Sequence, residues 1–132
     1  MKKIALFLTV FSISTLLYCQ ESLTKKQERV QHAVVKLFDA LSNRDSISLK
    51  AYSTTDITLY EYGQIWNMDT LILKAITLNQ SADFKRTNSF EFINTMVDKT
   101  TASVTNRLQS VIVKDGKQVT SQWLETVVLI RE

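Results

Sequence analysis

Residues 33–63 read AVVKLFDALSNRDSISLKAYSTTDITLYEYG, and within this stretch the hydrophobic period changes from helical to alternating. Val34, Leu37, Phe38 and Leu41 recur at three- and four-residue steps, and Val30 and Ala33 extend the same stripe upstream. Such spacing predicts an amphipathic helix, because these positions fall on one face of a 3.6-residue repeat. His32, Lys36 and Asp39 fall on the opposite, solvated side. Thr24 and Gln27 stand at capping-box spacing before the stripe, and Asn43 is a stop signal after it. Asp45 is placed to cap a short second helix carrying Ile47, Leu49 and Tyr52. Then Ile57, Leu59 and Glu61 alternate with Thr58, Tyr60 and Tyr62, which predicts a strand, a turn at Gly63 and a short return.

Outward from this stretch the pattern continues in the same two languages. In NMDTLILKAITLN, residues 67–79, Asn67 or Asp69 can cap a third helix holding Leu71, Ile72, Ala75 and Leu78. Three long β-like segments follow, 83–97, 102–113 and 118–130. Asp115-Gly116 joins the last two, and a type I′ turn requires the positive φ that Asp and Gly tolerate. Helices first and an antiparallel meander last is an α+β arrangement, with helices packed on one face of a curved sheet.

Composition bounds the rest. The chain has 132 residues, 45% hydrophobic and 22% charged, which describes one globular domain. It has no proline and two glycines, so Pro-rich linkers and glycine-rich phosphate loops are excluded. The start, MKKIALFLTVFSISTLLYCQ, sets Lys2 and Lys3 before an apolar run from Ile4 to Tyr18. That is the pattern of a secretory signal peptide, and the run is short for a membrane span, which needs ~20 residues. The expected division is a signal peptide at 1–19 and an exported domain at 20–132, periplasmic or extracellular. A membrane anchor and lipid attachment at Cys19 are the alternatives. Without Lys2 and Lys3 the remainder holds 14 positive against 13 negative residues, so a clustered basic surface for nucleic acid is not expected. Cys19 is the only cysteine, so a domain beginning at Gln20 has no disulfide and no thiol ligand.

The order of elements in residues 33–63, together with the KDGKQVTSQWLETVVLIRE hairpin at 114–132, resembles the nuclear-transport-factor-2-like, or SnoaL-like, superfamily. The resemblance covers roughly residues 25–132 and points to its uncharacterised secreted bacterial branch. It implies a cone-shaped α+β fold, a long N-terminal helix with two shorter ones, and a homodimer through the outer face of the sheet. It implies no one activity, since the superfamily holds isomerases, dehydratases, hydrolases and adaptors. Relatives usually continue past a segment like VVLIRE into one more strand, so the expectation is a truncated chain, a sheet that closes differently or a strand supplied by a partner, with the edge of 122–130 or the gap beside it the weakest part of the fold.

Candidate chemistry is sparse. His32 is the only histidine, and its carboxylate neighbours have no metal-ligand spacing, so neither a metal nor a cofactor is expected. Ser22 and Lys25 match S-x-x-K spacing without the companion motifs, and Asn79-Gln80-Ser81 matches a glycosylation sequon. Glu61 and Glu125 are more informative. Each shares a strand face with apolar side chains, Glu125 with Trp123, Val127 and Leu129. A carboxyl in such company, if buried, has a raised pKa and can act as a general base or acid. The isomerase branch implies a phenolic partner, here Tyr60 or Tyr62, although alternation sets both on the face opposite Glu61. Phe38, Trp66, Phe90, Phe92, Met96 and Trp123 are expected to line the cone. The expected function is binding of a small apolar ligand in the cone cavity. The alternatives are an isomerase- or dehydratase-like enzyme using a pocket carboxylate, and an adaptor pairing through its sheet.

Overall fold

A computed structural model describes residues 23–131. The expected signal peptide at 1–19, the alternative of lipid attachment at Cys19, and Ser22 of the S-x-x-K match lie outside the described residues. Helix α1 spans Lys25–Ser42. Its capping box is formed as the spacing predicts: the Gln27 amide N–H donates to Thr24 Oγ1 at 3.3 Å, and Thr24 N–H donates to Gln27 Oε1 at 2.9 Å. Val34, Phe38 and Leu41 are buried, Val30 and Leu37 pack beside them, and His32, Lys36 and Asp39 are exposed. The buried stripe is turned slightly from the expected one, since Ala33 is exposed while Gln31 and Ala40 are buried.

Asn43 ends α1, and Arg44 takes a φ of +55° that redirects the chain. Asp45 caps α2 (Ser46–Ala51), accepting from the amides of Ile47 and Ser48. Only Leu49 of the α2 apolar positions is buried; Ile47 and Tyr52 face solvent. Strands β1 (Leu59–Glu61) and β2 (Gln64–Trp66) form a short hairpin, and Asn67 caps α3 (Met68–Ile72). A π-helical turn, Leu73–Thr77, prolongs α3 and leaves Leu78 exposed.

Strands β3 (Lys85–Val97), β4 (Thr101–Lys114) and β5 (Lys117–Ile130) form a curved antiparallel sheet in that order. At the β4–β5 turn Asp115 and Gly116 have φ of +53° and +70°, the pair of positive values that a type I′ turn requires. Helix α1 lies on one face of the sheet, chiefly over β3, and the core fills the space between: Val34, Phe38, Leu41, Leu49, Leu71, Ile76, Val104 and Leu108. The β1–β2 hairpin is a separate sheet, and among the described residues β5 pairs with β4 alone. The sheet is therefore curved but not closed.

The end of the sheet away from the α1 N-terminus is tied down by polar contacts. Asp83 accepts from the amides of Asp115 and Gly116 at 2.8 and 2.7 Å and from the Ser81 hydroxyl. Arg44 donates to the Asn79 and Ser81 carbonyls at 2.8 and 3.2 Å, while Lys114 Nζ donates to the Leu78 carbonyl at 3.1 Å. The sequon residue Asn79 spends its side-chain amide on the Lys74 and Ala75 carbonyls that end the π turn.

Candidate functional site

Register decides which side chains face α1. Cross-strand rows on that concave face are Phe90–Leu108–Trp123, Phe92–Asn106–Glu125 and Asn88–Ser110–Ser121, with Arg86 one step further along β3. Aromatic contacts tie the first row to the helix. The Phe38 ring meets Phe90 edge-on with centroids 5.6 Å apart, and Phe90 stacks on Phe92 at 5.7 Å.

Beside these rings runs a polar network. Arg86 Nε donates to Asn88 Oδ1 at 3.0 Å, and one of its Nη groups donates to Ser110 Oγ at 3.1 Å. The Ser110 hydroxyl donates to Asn88 Oδ1 at 2.7 Å, and Asn88 Nδ2 donates to Ser42 Oγ on α1 at 2.8 Å. The guanidinium carbon stands 5.8 Å from the ring centres of both Phe38 and Trp123, within cation–π range of each. Loss of water lowers the Arg86 pKa, and the charges of Glu125, Tyr62 and Glu61 oppose that shift in decreasing order.

Glu125 stands beyond Trp123 on β5 and is partly buried. It accepts from Asn106 Nδ2 at 3.0 Å. Burial pushes its pKa up; the Asn106 bond opposes this, the charge of Glu61 adds to it, and Arg86 opposes it. Glu61 at the end of β1 is also partly buried, and its pKa is pushed up by burial against the pull of Arg86. Asn106 is fully buried, and its Oδ1 has no hydrogen-bond partner among the described residues. The one ion pair within 4.0 Å among the described residues, Arg107–Glu91, is on the opposite face of the sheet. Arg86 thus neighbours the two carboxyls without contacting either.

The expected site residues divide accordingly. Phe90, Phe92, Trp123 and Glu125 share the concave face, and Phe38 packs onto it from α1. Trp66 packs against the core from β2, opposite Leu59, with the Lys74 ammonium 5.1 Å from its ring centre. Tyr60 is 81% exposed and points away from Glu61, as alternation requires. Tyr62 breaks the alternation. It is not in the strand but in the turn, with φ +50° before Gly63 at +72°, and its ring lies 6.1 Å from that of Trp66. The turn therefore carries Tyr62 to the Glu61 side, correcting the expectation that it faces the other way. Met96 is corrected as well: it is 62% exposed on the convex face. A β-bulge between Phe92 and Asn94 inserts one residue, so parity flips, Thr95 points inward and Met96 outward.

Arg86, Asn88, Asn106 and Ser110 belong to this constellation and were not singled out from the sequence. The signal was present on β3, where Arg86 and Asn88 share the parity of Phe90 and Phe92. Polar residues in phase with an aromatic row are facing the same interior. Two surface depressions lie elsewhere: one of about 190 Å³ between α1 and α2, lined by Asp39, Asn43, Asp45 and Tyr52, and one of about 300 Å³ lined by Lys50, Thr54, Thr55, Asn67, Met68 and Asp69. The concave face itself is open on the β5 side, where no strand separates it from the β1–β2 hairpin among the described residues. Chemically, two water-deprived carboxyls that feel each other hold a proton to higher pH than free ones, which suits them to exchange protons with a bound group.

No family profile and no curated protein matches the chain. Solved structures do. A ketosteroid isomerase-like protein from Erwinia carotovora atroseptica SCRI1043 superimposes with a TM-score of 0.64 at 14% identity, covering 83% of this chain and 87% of that one. A presumptive ketosteroid isomerase from Shewanella frigidimarina NCIMB 400 gives 0.59 at 17% identity, covering 75% and 80%. An NTF-2 like protein of unknown function from Silicibacter pomeroyi DSS-3 gives 0.47 at 14% identity, covering 83% and 100%. Element order, the curved antiparallel sheet under α1 and the first two superpositions agree: the chain has the α+β fold of the nuclear-transport-factor-2-like superfamily.

Proposed function

We propose that this chain binds a small ligand with an apolar body on the concave face of the sheet, against Trp123, Phe92 and Phe90, with Glu125 and Glu61 at the ligand's polar end. The observation that carries the reading is the partly buried Glu125, on the same face of β5 as Trp123 and with a single hydrogen-bond donor. A core built for stability alone replaces such a carboxyl with an apolar group at little cost or a gain. The test is titration with N-phenyl-1-naphthylamine, an uncharged apolar fluorophore. Trp123→Leu is expected to weaken its binding roughly tenfold, equivalent to ~1.4 kcal/mol, while the folded circular-dichroism signal is kept. Binding that ignores both Trp123→Leu and Phe92→Leu would place the probe elsewhere and remove this reading.

A second reading, proton transfer, is favoured by the raised pKa of both Glu125 and Glu61. One structural neighbour is named ketosteroid isomerase-like and another a presumptive ketosteroid isomerase; in this chain a carboxyl would shuttle a proton with Tyr62 as the phenol. Isomerisation of a β,γ-unsaturated ketosteroid, followed by absorbance of the conjugated product, tests it. Glu125→Gln is expected to lower any such rate by ~100-fold or more, the usual worth of a general base. A rate equal to that of buffer ends the enzymatic reading for this substrate.

Export and assembly are part of the same proposal. The basic start and apolar run at 2–18 support a cleaved leader. Exposed Met96, Leu124, Val128 and Ile130 on the convex face support a homodimer through that face. The β5 edge supports the adaptor alternative, since an unpaired edge recruits strands. Sedimentation of wild type against Val128→Lys separates these: a dimer through the convex face dissociates on the substitution, and pairing along the β5 edge does not.

A further inference from the structure

We infer that the ligand's polar end is an ammonium group, so that the site selects a monocation joined to an apolar body. The inference rests on the proposed concave-face site and names its ligand class. Three side chains there carry oxygen acceptors with unmet capacity. Glu125 receives one hydrogen bond, from Asn106 at 3.0 Å. Glu61, whose charge is felt at Glu125, receives none among the described residues. Asn106 is 0% exposed, stands beside Glu125 in the cross-strand register, and its Oδ1 has no donor. An ammonium carries three N–H donors and no acceptor, which matches this deficit. An alcohol offers one donor, and a carboxylate offers none.

Charge leads to the same answer. With both carboxyls ionised, Glu61, Glu125 and Arg86 sum to one net negative charge. Arg86 cannot close the gap itself. Asn88 Oδ1 and Ser110 Oγ hold two of its nitrogens, and the rings of Phe38 and Trp123 fix its plane. It sets the local charge at minus one rather than minus two, so one positive charge completes the site. A carboxylate withdrawn from water is costly until paired and hydrogen-bonded, and an entering ammonium relieves that cost at both glutamates. The aromatic row supplies the apolar wall and ring faces that attract cations.

Isothermal titration of the intact protein with 2-phenylethylamine, 2-phenylethanol and phenylacetate, near-isosteric and differing in charge, tests the inference. The ammonium is expected to bind at least tenfold tighter than the alcohol at pH 7, and phenylacetate weakest. That preference is expected to grow as pH rises above the ordinary carboxyl range and Glu125 and Glu61 lose their protons, and to disappear in Glu125→Gln. Arg107→Gln, on the convex face, is expected to leave it unchanged. If Glu125→Gln fails to fold, Glu61→Gln and the wild-type series still decide. Alcohol binding as tightly as amine overturns the charge selection and leaves the apolar site standing, as does tightest binding of phenylacetate. If none of the three binds while N-phenyl-1-naphthylamine does, the ligand class is wrong and the site is right. If that fluorophore fails too, the site falls with it.

Discussion

Glu125 illustrates how a single residue can be worse for stability than its replacement. Burial raises its folded pKa above the ordinary carboxyl value of 4.5. Below the unfolded pKa both states are protonated and nothing is lost. As pH rises through that value toward the folded pKa, the unfolded chain releases its proton first, so the folded state loses ground. Glu125→Gln is therefore expected to melt at higher temperature than wild type at pH 7 and at the same temperature near pH 4; a Gln variant less stable at pH 7 would mean that the bond from Asn106 to the carboxylate outweighs the cost of its burial. Asp83 behaves oppositely. The Ser81 hydroxyl and the Gly116 and Asp115 amides hold its pKa down at about 2 from 3.8. Its contribution is present above the unfolded value and lost as pH falls through about 2. Asp83→Asn is expected to lower the melting temperature at pH 7, with the gap to wild type closing as pH falls from 4 toward 2. Residue by residue, the two glutamates were legible because each lies in phase with apolar neighbours. Arg86 and Asn106 were harder to read, because a polar residue in a strand looks solvated until its row is known. Tyr62 was misread because a positive-φ turn residue does not obey strand alternation.

At the scale of elements, the parts that were legible are those whose signals are local. The capping box of α1 needs only Thr24 and Gln27, and the β4–β5 turn needs only Asp115-Gly116. The bulge after Phe92 depends instead on which residues β3 meets on β4, and nothing within β3 announces it. That one inserted residue moved Met96 from the concave face to the convex face, and it brought Thr95 to the Gln31 side chain, a 2.9 Å bond to α1. The turn glycine gives a direct test of local encoding. Gly116 has φ +70° with open space where a Cβ would stand, so Gly116→Ala meets backbone strain and no clash. The expected cost is ~1 kcal/mol, the penalty for a left-handed non-glycine residue. Equilibrium urea unfolding measures it, and a loss of several kcal/mol would show that the turn does more than reverse the chain.

The whole molecule joins a well-packed half to an open one. Helix α1, β3 and β4 enclose Val34, Val104 and Leu108, each no more than 1% exposed. The inward residues of β5, by contrast, are only partly covered, since the strand has a neighbour on one side only among the described residues. The β4–β5 register runs without a break from Lys114↔Lys117 to Thr101↔Ile130. In an antiparallel pair alternate residues direct both N–H and C=O at the partner, and those between point the other way. Half of the β5 amides thus face the open edge. Hydrogen exchange resolved by residue is expected to show alternating protection along 118–130, slow for amides bonded to β4 and fast for those between, while β4 is protected throughout. Measured over a range of concentrations, the pattern separates sources. Alternation that fades as concentration rises marks pairing with a second copy along β5. Uniform protection at the lowest concentration would mean that the edge is already covered within one chain, and the open seam beside Glu125 would then be closed.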